Sequence, residues 1–163
     1  MKRMLSVLTA LLLTSIVFAQ KTDFSGNWTL KDQKSISGTL YSNGVPKQIK
    51  VSQTKDNLTL ESTTPNAQGQ DITTTEKLAF TGEKFETTTA SKRKKSVALA
   101  WDKEDKTLTH TADLSQTTDT NKVEIRYTDT WSIEDGKKLI MLRKAENFVN
   151  GEVWESKGIY QKQ

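Results

Sequence analysis

The chain has 163 residues, with 24 basic and 20 acidic side chains, no cysteine and a single histidine. The missing cysteines exclude a disulfide scaffold, a thiolate zinc site and a cysteine nucleophile, and one histidine excludes a multi-histidine metal site. The length fits one domain, for which we expect neither a metal nor a cofactor.

The first nineteen residues have the pattern of a secretory signal peptide. Lys2 and Arg3 precede a largely apolar stretch of 14 residues over 5–18, and compact side chains lead up to Ala19. Signal peptidase recognises such a pattern, and the stretch is shorter than the roughly 20 residues that span a bilayer. We therefore expect residues 20–163 to form one secreted or periplasmic domain without a transmembrane span. It has no cysteine for a lipid anchor, and its net charge falls to +2.

The rest of the chain alternates apolar and polar side chains with a period of two, which indicates strands with one buried face. The longest run covers residues 123–133. The polar links of two to five residues are too short for parallel crossovers, so consecutive strands pair antiparallel. The predicted strands cover residues 26–31, 48–53, 58–63, 71–80, 84–90, 96–101, 107–114, 122–133, 138–146 and 152–161, with 36–41 as an additional candidate.

A meander of this kind leaves two exposed edges unless it closes on itself. Pairing of the last strand with the first closes it into an up-and-down barrel. The sequence therefore predicts an all-β fold, an antiparallel up-and-down meander that closes into an 8- to 10-stranded barrel. A β-sandwich is the alternative, although sandwiches usually need longer links between their sheets.

A tryptophan motif opens the first predicted strand. Gly26-x-Trp28 ahead of a β-meander resembles the lipocalin and wider calycin superfamily, and the chain as a whole resembles secreted bacterial lipocalin-like proteins. The resemblance implies that the glycine permits a tight bend and that the tryptophan plugs one end of the barrel. It also implies a cation packed over the indole, a contact worth about 0.5–2 kcal/mol. Lys162 is the closest candidate, with Arg143 and Arg126 as alternatives.

Several polar residues occupy the same alternating strand positions as the apolar residues, and we therefore expect them to face the interior. His110 lies on the face of Leu108, and Asp129 lies between Tyr127 and Trp131. A sealed apolar core does not suit such groups, because each buried polar group needs a partner, whereas a small barrel has room for one small ligand. We predict a cavity that binds a small hydrophobic or amphipathic molecule, lined by Trp101, Leu108, His110, Tyr127, Asp129 and Trp131.

Two more charged residues bear on this interior. Glu76 occupies a strand position whose side chain is expected to face inward. The direction of Arg143 is ambiguous, because the residues before it in the strand are apolar on both faces. A purely structural pairing of Asp129 with His110 or Arg143 is the alternative to a ligand site.

Four consecutive cations, Lys92, Arg93, Lys94 and Lys95, lie between two predicted strands. A solvated hairpin explains them, and the functional alternative is weak contact with an anionic surface, at about 1 kcal/mol for each cation. A nucleic-acid partner is not expected, because the mature charge is only +2 and no basic strand with interleaved aromatic residues is present.

Catalytic motifs are missing from the sequence: it has no Gly-x-Ser-x-Gly elbow and no phosphate loop. Asp102, Glu104 and Asp105 cluster in one loop, where acids usually form turns. We therefore predict an exported, non-catalytic binding protein rather than an enzyme. The alternatives are an envelope interaction or inhibitor module that uses the barrel as a scaffold and, third, a carboxylate-based hydrolase.

Overall fold

The computed structural model describes residues 21–38, 44–66, 68–89 and 91–163, so the predicted signal peptide lies outside the described residues. The described part contains ten strands and no helix, and hence no helix that is long and apolar enough to cross a membrane. The strands are β1 (Gly26–Ser37), β2 (Gln48–Gln53), β3 (Asn57–Pro65), β4 (Asp71–Ala79), β5 (Phe85–Thr88), β6 (Lys94–Trp101), β7 (Leu108–Ser115), β8 (Val123–Glu134), β9 (Lys138–Asn147) and β10 (Val153–Lys162).

These strands form one antiparallel sheet in the order β4-β3-β2-β1-β10-β9-β8-β7-β6-β5. The all-β antiparallel meander is confirmed, and so is the pairing of the first strand with the last, in which Trp28 lies opposite Lys162. The sheet curls strongly into a half-barrel. Strands β4 and β5 are its two ends, and an ion pair links Glu76 of β4 to Lys95 of β6, the strand next to β5.

Strand β1 differs from the prediction. It is a single strand of 12 residues, with irregularities in its pairing to β10 after Leu30 and after Ser35. The predicted second strand over 36–41 is therefore wrong at its start, and its residues 39–41 lie outside the described part. Strand β2 covers only Gly26–Thr29 of β1, so the following stretch is mostly exposed and shows no apolar alternation.

One hydrophobic cluster fills the inside of the curl. Alternating residues face inward and are almost fully buried, such as Ile49 and Val51 of β2. Leu78 of β4 and Leu99 of β6 belong to the same cluster although they come from opposite ends of the sheet, because the curl brings those ends face to face. Full burial of each such side chain contributes about 1.5–3 kcal/mol.

Aromatic side chains close one end of the half-barrel. The ring of Phe24 lies 5.8 Å from that of Trp101, which in turn lies 5.4 Å from the ring of Phe80. Trp28 is buried beside them and donates its indole N–H to the carbonyl of Phe24 at 2.9 Å. We call this the aromatic end.

The segment that leads into β2 lies inside the curl. Gly44, Val45 and Pro46 are buried, and the hydroxyl of Tyr160 donates to the carbonyl of Pro46 at 2.8 Å. A Cβ at position 158 would lie 3.0 Å from Val45, so Gly158 leaves the room that this segment occupies. Pro46 thereby becomes part of the wall of the cavity described next.

Candidate functional site

A cavity of about 210 Å³ lies inside the curl, on the side away from the aromatic end. Part of its wall is apolar and consists of Leu60, Ala112, Leu114, Trp131 and Met141. The rest is polar and carries both charges and hydroxyl groups. A site with these two kinds of wall suits a molecule that has an apolar part and a polar part.

Five charged side chains from five strands form a continuous row along this cavity. The carboxylate of Asp129 accepts two hydrogen bonds from Arg143, at 2.6 and 2.7 Å. His110 lies between two acids, with Nδ1 3.6 Å from Asp129 and Nε2 3.6 Å from Glu76. Lys95 forms a hydrogen-bonded ion pair with Glu76. We call Lys95, Glu76, His110, Asp129 and Arg143 the charged row.

Strand register builds the central part of this row. His110 of β7 lies directly opposite Asp129 of β8, which lies directly opposite Arg143 of β9. Residues that face each other across neighbouring strands point to the same side of the sheet. Since the apolar neighbours of His110 and Asp129 face the core, the three charged side chains are directed inward together.

The charges of the row are stabilised by one another. Burial alone would raise the pKa of Glu76, but His110 and Lys95 lower it to about 2. Burial likewise opposes the charge on Asp129, but Arg143 and His110 hold the pKa of that carboxyl well below its usual range. Burial lowers the pKa of His110, yet Asp129 and Glu76 outweigh it and raise the pKa above its ordinary value. Both carboxylates and the imidazolium are therefore the favoured forms.

Hydroxyl groups complete the polar wall. Those of Ser62, Thr64 and Thr74 line the cavity and bond to no other residue in the described part of the chain, whereas the hydroxyl of Thr89, which also belongs to the wall, is bonded to that of Ser91. Ser62 lies directly opposite Thr74 in the pairing of β3 with β4. Thr74 is also exposed to solvent, so the cavity opens beside β4.

The structure brings together four of the six residues that the sequence predicts to bind a ligand. His110, Tyr127, Asp129 and Trp131 line the cavity. Leu108 is fully buried in the packed core, and Trp101 belongs to the aromatic end; neither lines the cavity. Tyr127 lies beneath Arg143, whose guanidinium carbon is 5.3 Å from the ring centroid.

Sequence reasoning missed Lys95 and the three hydroxyl residues as parts of this wall. A parity signal exists for each of them. Lys95 precedes the buried Val97 by two residues, and Ser62 follows the buried Leu60 by two.

The three residues of the predicted plug lie together at the aromatic end. The ammonium of Lys162 is 5.4 Å from the ring centroid of Trp28. Gly26 has φ +142°, and a Cβ there would lie 2.5 Å from the side chain of Lys162. Neither alternative cation takes this place, because Arg143 belongs to the charged row and Arg126 binds Asp113.

The basic run is largely paired. Arg93 lies 2.8 Å from Glu124, and Lys94 lies 2.8 Å from Glu86. Lys95 belongs to the charged row, and Lys92 is exposed in the hairpin turn with φ 61°. Contact with an anionic surface stays a prediction, in which Lys92 is the most accessible of the four cations.

No known protein family matches the chain, and no curated protein matches it either. The likeness to lipocalins therefore stays a prediction made from the sequence. In the part of the chain that the structure describes, no three histidine or acidic side chains are grouped so that they could hold a metal ion.

Proposed function

We propose that the protein is an exported, lipocalin-like protein that binds a small amphipathic molecule inside the half-barrel and does not convert it. The observation that carries the proposal is a cavity with one apolar wall and one wall of charges and hydroxyls. Its volume of about 210 Å³ is below the roughly 300–1,000 Å³ of pockets for drug-sized ligands. The ligand is accordingly small.

The surroundings of His110 support binding without catalysis. A general base must reach the proton that it removes, and a serine or threonine nucleophile needs such a base beside it. Both ring nitrogens of His110 face carboxylates, and the pKa values of those carboxylates are lowered. Among the described residues, neither ring nitrogen of His110 is hydrogen-bonded to a serine or threonine hydroxyl that it could activate.

A cavity-filling variant tests the proposal. Ala112 is buried in the cavity wall, whereas Ala100 is exposed on the outer face of the neighbouring strand. We expect 1-hexanol to shift the amide NMR signals of cavity residues, Ala112→Leu to weaken this binding at least tenfold, and Ala100→Leu to leave it unchanged. Equal binding by both variants would contradict the proposal, as would the absence of binding by any six-carbon probe.

A second candidate function is that of an interaction or inhibitor module. It is favoured by the turn after β9, where the apolar side chains of Phe148 and Val149 are exposed at 53% and 64%. Exposed apolar groups often mark contact sites. A photo-crosslinking side chain at position 149 tests it in cells of the source organism, with position 137 in the turn at the opposite end as the control. A protein adduct that forms at both positions equally, or at neither, would refute this candidate.

A further inference from the structure

We propose that the ligand of the cavity is a monoanion, whose negative group is bound by Lys95 and by the hydroxyls of Ser62, Thr64 and Thr74. This inference rests on the proposed function and adds the charge of the ligand and the place of its head group. It follows from the charges in the wall and from the donors that these residues leave unused.

The charged row carries three bases and only two acids. Arg143 neutralises Asp129 through two hydrogen bonds, and Lys95 neutralises Glu76. His110 adds a third positive charge when protonated, and its position 3.6 Å from both acids favours that form. One positive charge is then left over in the interior, where an unbalanced charge is costly. A ligand with one negative charge balances it.

Tyr160 of β10, which interacts with Arg143 and Asp129, does not supply this negative charge. Burial raises the pKa of Tyr160 far above its ordinary value, so that its phenol is neutral. Among the described residues, the ionisable side chains that line the cavity together with His110 are Glu76 of β4, Lys95 of β6, Asp129 and Tyr127 of β8 and Arg143 of β9.

Lys95 is less engaged by the protein than Arg143. Every nitrogen of Arg143 already donates, two of them to Asp129 and the third to the carbonyl of Gly44 at 2.8 Å, so that three of its five N–H groups are used. An ammonium group has three N–H donors, and Glu76 is the one hydrogen-bond partner of Lys95 among the described residues. Ser62 and Thr74 lie opposite each other on β3 and β4, and Thr74 is two residues from Glu76 on the same face. The unused donors of Lys95 and of these hydroxyls therefore belong to the same cavity wall, on and beside β4.

Three probes with the same chain and different heads test the inference: hexanoate, 1-hexanol and hexylammonium, titrated by calorimetry at pH 7. We expect hexanoate to bind at least tenfold more tightly than the other two. The double variant Glu76→Gln/Lys95→Met removes the ammonium donor and its partner together. It should reduce the affinity for hexanoate at least fivefold and leave that for 1-hexanol unchanged. Lys77→Met on the exposed face of β4 is the control, with unchanged affinities.

The unsubstituted protein provides a test that does not depend on the folding of a variant. Because anion binding and protonation of His110 favour each other, the affinity for hexanoate should fall as the pH rises from 6 to 10, while that for 1-hexanol stays constant. If 1-hexanol binds and hexanoate binds no more tightly, the inference that the ligand is a monoanion is wrong and the proposed function stands. If hexylammonium binds best, the inference is likewise wrong. If none of the three binds, both are wrong.

Discussion

The contact between Gly26 and Lys162 predicts a large effect for a one-carbon change. In Gly26→Ala the new Cβ would lie 2.5 Å from Cε of Lys162, in a backbone with φ +142°. A side chain in this sparsely populated region costs about 1–3 kcal/mol. Displacement of Lys162 from Trp28 removes a cation–π contact of about 0.5–2 kcal/mol. We expect the free energy of unfolding in urea to fall by about 2–4 kcal/mol.

Two further variants separate the clash from the backbone strain. Gly136 also has a positive φ, +65°, but no atom lies within 4 Å of a Cβ placed there, so Gly136→Ala should cost only about 1–2 kcal/mol. Lys162→Ala in the Gly26→Ala background relieves the clash, and it should therefore cost less than Lys162→Ala alone. The reasoning is refuted if Gly26→Ala destabilises no more than Gly136→Ala, or if the effects of Gly26→Ala and Lys162→Ala are simply additive.

Three other predictions follow from the structure and the sequence. Arg143→Met leaves Asp129 buried without its cation and should lower the free energy of unfolding in urea by about 3–5 kcal/mol. Lys47→Met, which breaks an exposed pair with Asp71, should lower it by less than about 1 kcal/mol. Equal losses in the two variants would contradict this prediction. The raised pKa of His110 contributes stability that is fully present below pH 6.5 and is lost as the pH rises through the folded-state pKa. The free energy of unfolding in urea should therefore fall between pH 6 and 9, and His110→Gln should abolish this fall. A fall that persists in the variant would contradict the prediction. Mass spectrometry of the exported protein should find a chain that begins at residue 20, and a protein that retains residues 1–19 would contradict the predicted cleavage.

The sequence predicts most of the sheet because the alternation of apolar and polar residues indicates which face of a strand is exposed to solvent. The strand predicted over 122–133 is β8 (Val123–Glu134), offset by one residue. It is paired on both sides and buries one face, so its alternation is clear. Strand β1 fails this rule beyond Thr29, where β2 no longer covers it and both faces have polar side chains. In β1, alternation therefore marks only the part of the strand that β2 flanks.

The site was only partly predictable, for a different physical reason. Parity correctly directs His110 and Asp129 inward, but it does not tell which end of a strand meets a cavity and which end meets packed aromatic rings; Trp101 and Leu108 belong to the packed end. The pairing of Glu76 with Lys95 depends on the curl of the whole sheet, which brings β4 near β6. No local pattern contains that distance.

The division of the interior into two ends explains how a chain of which only 34% of the residues are hydrophobic can hold a buried charged row. Phe24, Trp28 and their aromatic neighbours bury large apolar areas at one end, and such rings bury about 150–250 Å² each. That packing lets the other end keep five charges and three free hydroxyls beside a cavity. Filling this second end with apolar side chains would often be neutral or stabilising. Because stability does not require these charges, their presence supports the proposal that they serve a ligand.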